Sequence, residues 1–223
     1  IVKTQINKNV DKVFNGPQGA LNTLLSEKGA LMQYAGFWRR FGSFWIDFLI
    51  LLPLIALSMW GNEQSRLFTV YWFIPGQLIA LWFHCYLVKR YGGTPGKLLL
   101  KIKITKLDGS DVGYKEAVLR YSVMFTISLV MAVAMLNVIC GMTDAEYFSM
   151  EMTDRTQYIL ERVPVWYHFA NIAMNVWIFS EFVVLLTNKK RRALHDFMAG
   201  TVVIRKESLN KLSQQDAVNG AAA

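Results

Sequence analysis

Four stretches almost free of charge constrain this chain more than any other feature. Phe41–Trp60 holds one acid in 20 residues, and Leu67–Val88 has no Asp, Glu, Lys or Arg in 22. Tyr121–Cys140 has none in 20, and Val163–Thr187 holds one acid in 25. A helix that crosses a bilayer needs about 20 mostly apolar residues, so each stretch is long enough. Charged residues make up 18% of the chain, against about 25% in an average soluble domain, and the deficit is concentrated in these four segments. A soluble globular domain, a disordered chain and a collagen-like fibre are thereby excluded. At 223 residues the chain is also too short for a transporter of ten or twelve spans.

The expected fold is an all-α membrane protein: a four-transmembrane-helix bundle with spans at about 37–60, 67–89, 119–140 and 163–187. Orientation follows from the basic residues. Segments that would share one side hold 21 of the 24 Lys and Arg, and the two opposite loops hold 3. Short cytoplasmic loops carry the excess of Lys and Arg, so both termini and the loop between the second and third spans are expected in the cytoplasm. The acidic loop 141–162, with Asp144, Glu146, Glu151, Asp154 and Glu161, belongs outside. The net charge of +8 is then a topology signal and a source of attraction to anionic inner-leaflet lipids, not a mark of nucleic-acid binding.

Segment 1–33 is read as a cytoplasmic N-terminal extension. Ala20–Gln33 is expected to form a partly amphipathic helix in it, which either docks on the membrane surface or a protein partner or is only an ordered lead-in. No apolar core of a signal sequence stands there, so the first span is expected to direct insertion. Residues 34–206 are expected to form the membrane domain and 207–223 a mobile C-terminal tail. Lys101–Leu107 alternates polar and apolar residues with period two, as a half-exposed strand does. Thr201–Lys206 is a second β-branched run expected on the same side. The two are expected to pair as a short cytoplasmic two-stranded β element, because a lone strand leaves its backbone groups unpaired. Cys85 and Cys140 sit at opposite depths and cannot form a disulfide, which needs Cα atoms within about 7 Å. They suggest no metal site, and no cofactor motif is visible. Gly92–Lys97 lacks both the leading Gly and the trailing Ser or Thr of a phosphate loop.

Asp47 is the sharpest single feature. It lies six residues inside the first span, about 9 Å along the helix, where a carboxylate costs about 3 kcal/mol on insertion scales and faces a bundle interior or a watery cavity. Arg40 stands seven residues earlier on the same face, with Gly36 and Ser43 in the same stripe. The rise of ~10 Å between Arg40 and Asp47 is long for a direct pair, so water or another helix is expected between them. His84 and Glu181 fall at nearly the depth of Asp47 in two other spans. A shared hydrated pocket that exchanges a proton or cation is one reading. The other is three unrelated groups, with Asp47 satisfied by Arg40, His84 by the core and Glu181 by Lys189 or Lys190. His168, Asn171 and Asn175 share a face of the last span and serve either an outer passage or interhelical hydrogen bonds. Lys189, Lys190, Arg191 and Arg192 are expected to anchor lipid headgroups, with Asp196 as a counter-charge that also reaches Arg40.

Three blocks together resemble the RDD family of bacterial membrane proteins. They are Ala35–Asp47, Thr94-Pro95-Gly96-Lys97-Leu98-Leu99 with the Asp108-Gly109 turn, and Leu194-His195-Asp196 through Ala199-Gly200-Thr201-Val202-Val203. The arginine and two aspartates of the family's name map to Arg40, Asp47 and Asp196. Lys101 stands where the family often has glycine, and the acidic outer loop departs from its pattern. The resemblance implies a multi-pass protein of the bacterial inner membrane with a transport role and no enzymatic mechanism.

The function expected from these readings is transport of small ions, an alkali cation or a proton, through a charge cluster of Arg40, Asp47, His84, Glu181 and Asp196. Four helices make a narrow bundle, so a homo-oligomer is expected. The rival reading is a non-transporting scaffold or assembly factor in which the charges only lock helices together. No catalytic constellation points to an enzyme.

Overall fold

The computed structural model describes residues 32–208. The amphipathic helix expected at 20–33 and the tail beyond Ser208 fall outside them, apart from Met32 and Gln33. Three helices are long and apolar enough to cross a membrane: α1 (Phe37–Gln64), α5 (Tyr114–Gly141) and α8 (Val165–Thr187). Their large apolar side chains point outward; Leu49, Phe169, Ile172 and Val176 are all exposed. A soluble protein buries such residues, so these surfaces match hydrocarbon.

The segment expected as the second span is divided. It comprises α2 (Phe68–Leu81), a π-helical turn (Trp82–Tyr86) and α3 (Leu87–Tyr91). A π turn carries an extra residue per turn and occurs mainly as a single bulge inside α-helices. The first span also runs past its expected end: α1 continues to Gln64 before Ser65 ends it. Gly61 allows the tight return, because a Cβ there would stand 2.4 Å from the Phe68 ring.

The two expected strands form and pair. β1 (Ile102–Lys106) runs antiparallel to β2 (Thr201–Arg205), with Ile104 opposite Val203. β1 keeps the expected alternation over Ile102–Ile104, with Lys103 and Lys106 partly exposed, whereas β2 is buried from Thr201 to Ile204. Ile102, Ile104, Val202, Val203 and Ile204 are all buried, because the helices cover one face and Met32 and Tyr34 pack on the other. The chain before α1 adds to the sheet edge: Ala35 N–H donates to Val203 O at 2.8 Å and Arg205 N–H donates to Gln33 O at 2.9 Å. Lys101, just ahead of β1, adopts a left-handed φ of 54°. That conformation suits glycine, which the resembled family often has there.

At the opposite end the acidic loop folds into α6 (Asp144–Phe148) and α7 (Met152–Arg162). Tyr147 and Ile159 bury against Met142, Val163 and Tyr167. Arg155, itself buried, ion-pairs with Glu63 and stacks over the Tyr147 ring at 4.2 Å. Arg66 binds Asp144 at 2.7 Å. Both ties fasten this cap to the turn after α1. Among the described residues the cysteines are unpaired; Cys85 is buried, whereas Cys140 is exposed on the apolar surface.

Candidate functional site

Two short helices bring the polar blocks together at one end of the bundle. The chain turns after α3 at Gly92, in a left-handed conformation, and enters α4 (Pro95–Leu99), where Pro95 occupies the first turn as proline prefers. Beyond α8, Asn188–Ala193 leads into α9 (Leu194–Met198). These two pieces carry Thr94, Gly96 and Lys97 on one side and His195 and Asp196 on the other.

Asp196 is the most enclosed charge, with no exposed surface. Its Oδ2 accepts from Arg40 Nη1 at 2.7 Å and from the Ala193 N–H at 3.0 Å, while Oδ1 pairs with Arg120 and accepts from Thr201 Oγ1 at 3.3 Å. The two guanidiniums are shared with neighbours: Arg40 Nη2 donates to Arg191 O at 2.5 Å, and Arg120 Nη1 to Thr201 Oγ1 at 2.5 Å. Burial pushes the Asp196 carboxyl up, but Arg120 and Arg40 outweigh it and hold it well below the usual carboxylate range. A buried carboxylate is tolerable when this many donors replace its water.

Asp47 does not meet Arg40. Its Oδ2 accepts from Thr94 Oγ1 at 2.5 Å and its Oδ1 from the Gly96 N–H at 2.7 Å, with Lys97 Nζ 4.0 Å away. Another element does stand where the ~10 Å helix rise left a gap, and it is the turn into α4. The fit is close: a Cβ on Gly96 would lie 2.2 Å from Ser43 O and 2.9 Å from Asp47 Cγ.

Glu181 is bound neither by Lys189 nor by Lys190. Its Oε1 accepts the His195 N–H at 3.0 Å, and its Oε2 stands 2.6 Å from His195 Nδ1. On the other edge of that ring, Arg120 Nη2 approaches Nε2 at 2.8 Å. Burial and the Arg120 cation lower the His195 pKa, against the pull of Asp196 and Glu181. Because a guanidinium can only donate, Nε2 is the acceptor nitrogen of the ring and faces Arg120. His84 sits in the π turn and stacks on Tyr121 with centroids 4.4 Å apart.

The structure brings Asp47, His84 and Glu181 to the wall of one cavity of about 400 Å³, together with Lys97, Arg120 and His195. Arg40 and Asp196 are not in that wall; they stand behind it. Burial pushes the Lys97 ammonium down to about 8, opposed by Asp47 and reinforced by Arg120 and Arg40. The unfolded chain, with an ordinary lysine near 10.4, binds more protons than the folded one between those values. Stability must therefore rise with pH from about 8 to about 10. A thermal midpoint followed in detergent across that range should climb, and Lys97→Met should flatten the climb.

Arg192 is not exposed with its three basic neighbours, which were expected to anchor lipid headgroups together with it. Its guanidinium donates to Thr201 O and Asp196 O and lies over the Phe197 ring at 4.0 Å. Lys189, Lys190 and Arg191 remain exposed, although the Arg191 carbonyl serves Arg40. Asn175 bonds within its own helix, donating to Asn171 O at 2.8 Å, not across helices. Sequence reading missed Arg120, Thr94, Lys97 and His195 as site residues. Arg120 was counted only as a topology charge; its place at the boundary of the third span was the available signal.

Comparison with known families gives one match: the model of the RDD family covers residues 34–200, about three quarters of the chain. No curated protein and no solved structure matches.

Proposed function

We propose a function for a chain that belongs to the RDD family and is an integral membrane protein: movement of small ions, an alkali cation or a proton, through the cavity that Asp47, His84 and Glu181 share. The observation that carries this reading is the convergence of six ionisable side chains from separate segments on one space of about 400 Å³. Ionisable residues at membrane depth are costly and mark ion or proton pathways. Asp47 and Glu181 are the two carboxylates that face the space and exchange charge. Lys97 and His195 set how readily they do so, while Arg40, Arg120 and Asp196 hold the wall behind them.

In this reading the chain crosses the membrane four times. Residues 68–91 follow one helical path of 24 residues, about 36 Å long and so sufficient for a hydrocarbon core of ~30 Å. The positive-inside imbalance puts the sheet, α4, α9 and both termini in the cytoplasm of a bacterial inner membrane, with the α6–α7 cap outside. Lys189, Lys190 and Arg191 then meet anionic headgroups, and a narrow bundle of this kind works as a homo-oligomer.

The test is flux in reconstituted vesicles under imposed Na⁺, K⁺, Li⁺ or H⁺ gradients. Asp47→Asn and Glu181→Gln should each abolish flux while protein still elutes as folded material. A wild-type protein that moves none of the four ions would overturn the proposal.

A second reading, a non-transporting scaffold or assembly factor, draws on the saturation of Asp47 and Asp196 with hydrogen bonds. Under it Asp47→Asn loses folded protein and wild-type vesicles stay tight.

A further inference from the structure

The last span carries polar side chains that the charged cavity does not use. Asn175 lies ten residues into α8, about 15 Å from its outer end and so halfway through a hydrocarbon core of ~30 Å. It is exposed on the outside of the bundle. Its Nδ2 is turned back on its own helix, donating to Asn171 O at 2.8 Å and to Asn171 Oδ1 at 3.0 Å. Among the described residues its own Oδ1 accepts nothing. Hydrocarbon offers no donor, and an amide oxygen left without one there is costly. This face therefore calls for a neighbour that brings a hydrogen-bond donor to mid-depth.

His168 is exposed seven residues before Asn175, and Ile172 and Phe179 are exposed beside them. His168, Ile172, Asn175 and Phe179 step by four, three and four residues. That is the 3.5-residue repeat of a seam on which two helices coil left-handedly, the prevailing hand among membrane helices. The open seam is confined to the outer part of α8. At its next position Phe182 turns to Phe37 of the same chain, with ring centroids 5.9 Å apart.

A second copy of this chain meets the requirement with no further condition. Insertion in the same orientation puts its Asn175 at the same height, and a two-fold axis between parallel α8 helices brings the two residues face to face. A primary amide both donates and accepts, so the pair completes itself when one Asn175 turns a hydrogen from Asn171 Oδ1 to the other copy's Oδ1. One Asn in an apolar seam also fixes register, because a shift strands both amides. A different protein would have to supply a polar group at this depth independently.

We propose that α8 is the interface of a two-fold-symmetric homodimer, with Asn175 hydrogen-bonded to its counterpart and Ile172 and Phe179 packed above and below the pair. This names the contact within the homo-oligomer of the proposed function; it rests on that reading's membrane crossing by α8 and not on ion movement.

The test uses the full chain in lipid vesicles at graded protein-to-lipid ratios, with energy transfer between two differently labelled pools giving the dissociation constant. Saturable pairing of two copies is expected. Asn175→Leu should raise the dissociation constant about threefold to thirtyfold, the span of one interhelical hydrogen bond in a membrane, and Asn175→Gln, which keeps the amide, should recover part of the loss. In a Cys140→Ser background, Cys85 being buried, Ile172→Cys and Phe179→Cys should each oxidise to a disulfide-linked dimer, because a seam brings opposed Cα atoms within about 7 Å. Ala173→Cys, equally exposed but turned about 100° from Ile172, should not. The cysteine comparison holds whether or not Asn175→Leu folds. Monomers at every ratio, linkage at Ala173 in preference to Ile172 and Phe179, an unchanged dissociation constant for Asn175→Leu, or a different protein held on this face in stoichiometric amount would each overturn the proposal. Flux from monomers sinks the pairing and leaves ion movement standing; pairing without flux does the reverse.

Discussion

Asp196→Ala is expected to destabilise the protein by about 3–5 kcal/mol, the range seen when one partner of a buried ion pair is removed. The substitution leaves Arg40 and Arg120 buried and facing each other across the space the carboxylate occupied. It also frees the Ala193 N–H, which Asp196 caps from three residues along. Asp196→Asn keeps the shape and part of the hydrogen bonding, so its loss should be smaller but of the same sign. Replacing Arg40, Arg120 and Asp196 together by apolar residues of similar volume should recover stability relative to Asp196→Ala, because no charge is then stranded. The comparison is of thermal midpoints in detergent. Because the folded carboxyl sits far below its ordinary value, its contribution is complete above the unfolded pKa of about 3.9 and declines as pH falls below it. An Asp196→Ala protein as stable as the wild type would mean that the two guanidiniums find other partners.

Gly96→Ala is the second large effect, and it needs no change of charge. The added methyl would stand 2.2 Å from a backbone oxygen, that of Ser43, which has no flexible end to swing aside. Either α4 lifts away from α1 or α1 bends. In both cases the Gly96 N–H and the Thr94 hydroxyl leave Asp47. Overpacking alone costs about 1–3 kcal/mol, and a buried carboxylate stripped of donors adds about 1–3 kcal/mol more. Loss of flux with a lowered midpoint is the expected result. Gly93→Ala is the comparison, since a Cβ there meets nothing nearer than Lys97 Cβ at 3.2 Å. A Gly96→Ala protein with an unchanged midpoint would show that the contact between α4 and Ser43 is loose.

Much of the fold was legible from hydropathy and periodicity. The long charge-free runs mark α1, α5 and α8 because a helix in lipid must satisfy every backbone group internally and present apolar side chains outward. The alternation through Lys101–Leu107 and the β-branched run at Thr201–Lys206 announced β1 and β2, and pairing followed from the demand for hydrogen bonds. Both signals are local, repeating within a window of a few residues. The division of 68–91 by a π turn was not legible: Pro75 signalled a kink, whereas the bulge forms at Trp82–Tyr86, beside the site.

The sequence by itself put Asp47, His84 and Glu181 at a common height along their helices, since height follows from residue count and rise per residue, and all three line one cavity. Only the tertiary structure decided whom each charge would meet. Arg40 shares a helix face with Asp47 yet binds Asp196, 156 residues away; Asp47 turns to Thr94 and Gly96; Glu181 turns to His195; and Arg120 joins them from a boundary where it looked like one more topology charge. A helix records in its own sequence the face and height of every side chain. Its neighbours, and therefore its ion pairs, are set by how separate segments pack, which no single segment encodes.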